Sequence, residues 1–179
     1  HSRTGNLNGK FSYDLSPTLR ATYLIGYWNN DASSRTQTYL RDADGHPTYA
    51  NIAGFAANTS RTDEAHLMQG LALKSDSAGA WNGEAIATWY DFLGDRQRSP
   101  AGVTDGLAFT PDGRLADLGG TGWATLDLKA IWRSHGNGAS HEISFGVHDD
   151  EYSLKNPTRN TTTWQDAASA ASLYADGRG

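Results

Sequence analysis

Ala124-Thr125-Leu126-Asp127-Leu128-Lys129-Ala130-Ile131-Trp132-Arg133 is the sharpest two-faced stretch of the chain. Ala124, Leu126, Leu128, Ala130 and Trp132 fall on one side of an extended backbone, and Thr125, Asp127, Lys129 and Arg133 fall on the other. Successive side chains of a strand point to opposite faces, so a period of two residues is a strand with one apolar and one wet face. The wet face carries formal charge, which only water or a counter-charge can accommodate.

The same pattern returns on both sides of this strand. Across the turn His135-Gly136-Asn137-Gly138, Ile143, Phe145 and Val147 alternate with Glu142, Ser144, Gly146 and His148. Tyr152 and Leu154 are out of phase with them, and a bulge near Asp149-Asp150 is the expected cause. Upstream, Phe11, Tyr13 and Leu15 alternate with Lys10, Ser12 and Asp14; Pro17 then turns the chain, and Leu19, Ala21, Tyr23, Ile25 and Tyr27 oppose Arg20, Thr22, Gly26 and Trp28. Between these pairs, Ala65, Leu67, Leu71 and Leu73 share a face, with Met68 and Gln69 against the pattern. After the turn Asp76-Ser77-Ala78-Gly79-Ala80, the set Trp81, Ala85, Ala87 and Trp89 competes for the apolar face with Ile86, Tyr90 and Phe92, and the first set is preferred. Helical periodicity shows only in the Ala-rich stretch from Asp166 to Tyr174.

Six long strands therefore form three pairs, at about 9–31, 64–95 and 122–154. The turns inside pairs are short; the connections of about 32–63, 96–121 and 155–179 are far longer than those of compact domains. This predicts an all-β, antiparallel, up-and-down meander with every long loop at one end, the arrangement of outer-membrane barrels with short periplasmic turns and long extracellular loops. Tyr13, Trp81 and Trp132 lie beside the short turns, and Tyr27, Trp28, Trp89, Tyr90, Trp123 and Tyr152 beside the long loops, as two interfacial aromatic girdles would.

Composition agrees with a thin sheet. The 179 residues include 20 glycines and 11% aromatics, and only 37% are hydrophobic, which is meagre for a thick two-sided core. A net charge of −5 without a run of Lys and Arg argues against a nucleic-acid partner, and the absence of Cys excludes disulfides and thiolate metal sites. The opening His1-Ser2-Arg3-Thr4-Gly5 reads as the start of an internal segment, and no stretch approaches the ~18 apolar residues of a membrane helix. A soluble β-sandwich or lipocalin-like barrel is the competing architecture, and it gives no reason for one-ended loop lengths.

Tyr13-Asp14-Leu15-Ser16-Pro17-Thr18-Leu19-Arg20-Ala21-Thr22-Tyr23, His66-Leu67-Met68-Gln69-Gly70-Leu71, Trp89-Tyr90-Asp91-Phe92-Leu93-Gly94-Asp95 and Gly122-Trp123-Ala124-Thr125-Leu126-Asp127-Leu128-Lys129 resemble the middle barrel of proteobacterial TonB-dependent receptors. The resemblance covers nearly the whole chain. It implies a place in a 22-stranded transmembrane barrel of the Gram-negative outer membrane, within a receptor that takes up a siderophore or another scarce nutrient. It also implies outer-membrane lipid and lipopolysaccharide as surroundings, and TonB as a partner acting through an N-terminal plug; neither plug, TonB box nor terminal aromatic is read in these residues. The alternatives are a soluble all-β ligand-binding module and a passive porin or outer-membrane enzyme.

The candidate ligand contacts sit on the expected outer loops. Tyr39 to Tyr49 and Phe109 to Leu115 read as hairpins turning at Asp44-Gly45 and Asp112-Gly113. For an anionic ligand such as a ferric chelate, Arg35, Tyr39, Arg41 and Tyr49 on the first loop and Arg96 and Arg98 on the second are the expected contacts. A solvated loop surface explains the same charges. Asp42-Ala43-Asp44-Gly45 resembles the start of a calcium loop but lacks its later ligands, and His148 with Asp149, Asp150 and Glu151 lacks metal spacing. No metal, cofactor or catalytic role is expected.

Overall fold

The computed structural model describes residues 1–35, 37–48, 59–104, 108–138, 140–166 and 171–173. Eleven strands occur among them and no helix. Six are long: β1 (Ser2–Ser16), β2 (Leu19–Ser34), β3 (Ser60–Ser75), β4 (Trp81–Pro100), β8 (Gly122–Asn137) and β9 (Glu142–Ser153). They lie side by side as β1-β2-β3-β4-β8-β9, every pair antiparallel. The meander expected from the sequence is thus present, and its first strand begins earlier than the expected start at residue 9.

Five short strands complete the chain: β5 (Val103–Thr104), β6 (Ala108–Phe109), β7 (Gly113–Asp117), β10 (Thr158–Thr161) and β11 (Ala171–Leu173). The strand β4 is long enough to hold two neighbours on one edge. Trp81 to Asp91 pair with β8, and Arg96 to Pro100 pair with β7, which continues through β10 to β11. The result is an open nine-stranded sheet that forks at its upper end, beside a separate β5-β6 ladder. Parts of the expected long loops 96–121 and 155–179 are therefore strand. The helical expectation for Asp166 to Tyr174 fails at Ala171–Leu173, which pairs with β10; residues 167–170 and Tyr174 lie outside the described residues. The backbone pairing with β10 is a tertiary contact, and such contacts override a weak local helix preference.

The register assigns every side chain to a face. Tyr13, Ala21, Leu73, Ala85, Leu128 and Val147 form one cross-strand row, and Phe11, Tyr23, Leu71, Ala87 and Leu126 the next, so the apolar positions of six strands merge into one face. Trp81, Ala85, Ala87 and Trp89 belong to it, as preferred from the sequence. Gln69 belongs to it as well, and the Tyr23 hydroxyl donates to its Oε1 at 2.6 Å, which answers the polar group locally. The opposite face holds the row Asp14, Arg20, Lys74, Glu84 and Lys129, with Arg20 Nε donating to Asp14 Oδ1 at 2.6 Å.

Among the described residues nothing covers the apolar face. Leu126 and Leu128 are each 43% exposed, Phe145 and Val147 more so, and among the described residues Trp164 is the one buried hydrophobic side chain. Trp164 seals the fork instead, its Nε1 donating to the Thr110 carbonyl and its Cβ packed where Gly113 has no side chain. A Cβ on Gly113 would also lie 2.1 Å from the Ser99 carbonyl oxygen. Asp112-Gly113 is accordingly no hairpin turn, contrary to the sequence expectation: Phe109 pairs with Val103, and Gly113 opens β7. The Asp44-Gly45 turn is as expected, with Gly45 at φ +84° and the Arg41–Pro47 bridge closing it.

The expected bulge near Asp149-Asp150 is absent, since β8 and β9 pair in unbroken register. Asp149 and Glu151 simply continue the alternation on the side of Val147, and Tyr152 faces the other way. Bulges occur instead beside Leu15 and beside Leu93. Replacing Gly113 with Val should cost about 1–3 kcal/mol by forcing β7 from β4; chemical unfolding measures it, and an unchanged midpoint would contradict the close approach.

Candidate functional site

Two groups of residues have the chemistry to meet a ligand: the expected loop contacts, and an aromatic cluster on the polar face. The loop contacts do not converge. Arg35 and Tyr39 are exposed after β2, Tyr39 with 91% of its surface free. Arg41 is exposed too, but its Nη1 donates to the Gly45 carbonyl at 2.7 Å and so helps to hold the turn. Tyr49 lies outside the described residues.

Arg96 and Arg98 are not loop residues at all. Both extend from upper β4 on the side of the apolar face, where Arg96 Nε donates to Asp117 at 3.0 Å and Arg98 is ion-paired with Asp63. Arg98 is buried, and with Arg61, Leu115 and Gln165 these groups line a cleft of about 400 Å³. An arginine so enclosed is a structural partner of its carboxylate and cannot swing towards a ligand without stranding a buried charge. The sequence reading missed this because alternation was not followed past Asp95.

The polar face offers the better-built site. His66 is only 8% exposed; Phe92 stacks on it with ring centroids 4.0 Å apart, and Trp28 lies 5.0 Å away. His66 Nδ1 and the Tyr90 hydroxyl share a hydrogen bond of 3.0 Å, while the enclosed Nε2 faces Asp95 Oδ2 at 3.4 Å, out of line for a hydrogen bond. In a regular strand Phe92 and Asp95, three residues apart, would point to opposite faces. The extra residue at Leu93 turns both towards His66. Asp95 lies beyond the apolar band, and burial, reinforced by the Glu64 carboxylate, holds its carboxyl above the ordinary range.

Further along this face Tyr90 stacks on Trp123 at 4.3 Å with ring planes 7° apart, and Tyr152 follows at 6.4 Å. The six aromatics expected to form one upper girdle are thus divided. Tyr27 and Trp89 sit on the apolar face, whereas Trp28, Tyr90, Trp123 and Tyr152 sit on the polar one. Their even spacing from Thr22, Thr88, Thr125 and Asp150 was the available signal.

The remaining polar groups explain themselves. Asp42 Oδ1 accepts from the backbone of Asp44 and His46, a tight turn, and the three side chains are exposed. His148 pairs with Asp127 at 2.7 Å across β8, while Asp149 and Glu151 face the other side, so the acidic run is split. No family model, curated protein or solved structure matches the chain.

His66→Ala should lower unfolding stability by about 2 kcal/mol through the cavity left between Phe92, Trp28 and Tyr90. Denaturant titration measures it; no change in midpoint would mean that the cluster does not hold the strands.

Proposed function

We propose that the chain is part of the wall of an outer-membrane β-barrel, in a TonB-dependent receptor that takes up a scarce nutrient through the Gram-negative outer membrane. One observation carries this reading: an apolar face running across six hydrogen-bonded strands with no second layer over it among the described residues. Soluble proteins rarely expose apolar patches beyond a few hundred Å², and burying each large side chain is worth about 1.5–3 kcal/mol. Lipid meets that face without a core.

The dimensions support the same reading. Trp81 and Trp89 bound the apolar run of β4; at about 3.4 Å per residue this spans roughly 27 Å along the strand. Tilted by about 40°, it covers roughly 20 Å of height, near the ~25 Å apolar band of such barrels. The upper limit of the apolar run also slopes. It stands at Leu7, Tyr27 and Leu67 on the first three strands and has dropped to the row of Val147 on β9, which is the row of Tyr13, six residues further along β1 than Leu7.

Six residues of drop across five strand gaps of about 4.8 Å is a slope of roughly 40°, within the usual strand tilt of transmembrane barrels. Asp149 and Glu151 would then stand above the lipid. The charged row from Asp14 to Lys129 would face a wet interior, as barrel lumens require. The edges of β1 and β9 are unpaired among the described residues, and further strands on both sides would close the 22-stranded ring that the resemblance implies. The polar-face aromatics and the outer loops would meet the nutrient, with TonB acting through a plug.

Leu128→Arg should cost about 2–4 kcal/mol of stability in a bilayer and reduce the folded amount in the outer membrane. Lys129→Leu, on the opposite face, should leave membrane insertion largely intact. Fractionation and heat-dependent gel mobility read both. Equal tolerance of the two variants, or a cooperative fold in plain buffer, would favour a soluble β module.

A further inference from the structure

The outward side of the sheet changes character above its apolar band, where two cross-strand rows carry charge. The lower row runs Arg3, Asp31, Asp63, Arg96 and Asp117 from β1 to β7. The row above it runs Ser33, Arg61, Arg98, Leu115 and Arg159 from β2 to β10. All the carboxylates of the two rows stand in the lower one, and each has an arginine at hand. Asp31 lies opposite Arg3, Asp63 is ion-paired with Arg98, and Asp117 with Arg96. Arg61 and Arg159 are left over. Both are exposed, and neither forms an ion pair among the described residues.

Arg61 is also set against a like charge. It lies directly opposite Arg98 across β3 and β4, and like charges so placed repel. Arg98 is buried and already held by Asp63, so it keeps that carboxylate from Arg61. Both arginines line the cleft of about 400 Å³, together with the Gln165 amide and a second acid, Asp166. With Asp166 added to the two rows, five arginines meet four carboxylates. An anion that settled on Arg61 would relieve the repulsion and leave both existing ion pairs intact.

We propose that Arg61 and Arg159 hold phosphate carried on the saccharide headgroup of an outer-leaflet lipid, with Arg61 reaching it from the cleft. The barrel-wall reading supplies lipid on this side of the sheet; the preference for phosphate follows from the two guanidinium groups. Each offers parallel N–H donors that match two phosphate oxygens, and the Gln165 amide adds a neutral donor beside Arg61. Arg159 is three strand gaps away, about 14 Å, within reach of a neighbouring phosphate on the same headgroup. Height selects the kind of lipid. Arg61 stands six residues beyond Leu67 on β3, about 20 Å along the strand and roughly 15 Å above the apolar run at a tilt of about 40°. Simple headgroups add only about 5–8 Å on each side of the hydrocarbon. A phosphate at the level of Arg61 therefore has sugars between it and the acyl chains.

The test uses the intact outer-membrane protein that carries this segment, purified in detergent and freed of lipid. It is titrated with rough-type lipopolysaccharide, with the same material dephosphorylated, with phosphatidylglycerol and with inorganic phosphate, and bound molecules are counted by native mass spectrometry. The phosphorylated glycolipid should bind, and Arg61→Gln and Arg159→Gln should each weaken it by about fivefold or more. Dephosphorylation should weaken it as far, and Arg20→Gln, on the opposite face, should leave it unchanged. A glycolipid affinity indifferent to Arg61→Gln or to dephosphorylation would overturn the proposal. So would phosphatidylglycerol with the same dependence on Arg61, which would make the site one for any lipid phosphate, or inorganic phosphate bound there as tightly as the glycolipid, which would make it a free-anion site. Heat-dependent mobility of each variant shows whether it is folded. A protein that inserts and folds but holds lipid without Arg61 loses this site alone, whereas one that folds cooperatively in plain buffer loses the barrel wall and the site with it.

Discussion

The rest of this structure depends on a single unlayered sheet whose two faces need different surroundings. Backbone hydrogen bonds run from β1 to β9 and satisfy the strands laterally, but they do nothing for side chains that stand above and below the sheet. On one side Leu71, Leu73, Leu126, Leu128 and Phe145 meet no second layer among the described residues. On the other, carboxylates and cations pair across strands. A second layer would bury the first face and leave the second in water; among the described residues the chain supplies no such layer, so the first face is met by something other than these residues.

The forked upper end marks where that constraint relaxes. Above Asp91 the strand β4 leaves β8, then takes β7 as neighbour from Arg96 and carries charged side chains on the face that was apolar below. There the chain supplies its own cover: Arg98 is buried against Asp63, and Trp164, the one buried hydrophobic side chain among the described residues, packs on Gly113. The Leu93 bulge lies at this changeover. It switches the parity of β4, so that Asp95 joins His66 and Phe92 on the polar face while Arg96 and Arg98 turn to the other.

Much of the fold was legible in the sequence, because period-two alternation is a direct consequence of strand geometry. The strand from Ala124 to Arg133 shows its faces outright, and on the ambiguous strand from Trp81 the preferred set, Trp81, Ala85, Ala87 and Trp89, is the one that shares the apolar face. Short connections needed only local turn chemistry. What alternation could not provide is the partner of each strand: β7, β10 and β11 are too short to show a period, and their pairing with β4 and each other is a tertiary choice. The candidate site suffered more. Arg96 and Arg98 looked like loop cations because a long polar segment hides strand character, and the Leu93 bulge changed their face without any turn residue to signal it. The aromatics at strand ends were grouped by height and not by face, although Trp28 already alternated with Tyr27.

The central claim is that the two faces of the strand from Gly122 to Asn137 meet lipid and water respectively. Because these 179 residues contain no Cys, single cysteines placed from position 124 to 130 can be labelled with a water-soluble maleimide in outer membranes that hold the protein, against the unsubstituted protein as blank. The account predicts alternating reactivity, with Thr125, Asp127 and Lys129 positions labelled and Leu126, Leu128 and Ala130 positions protected until detergent or denaturant is added. Uniform labelling along the strand, or protection of the charged set instead, would contradict it.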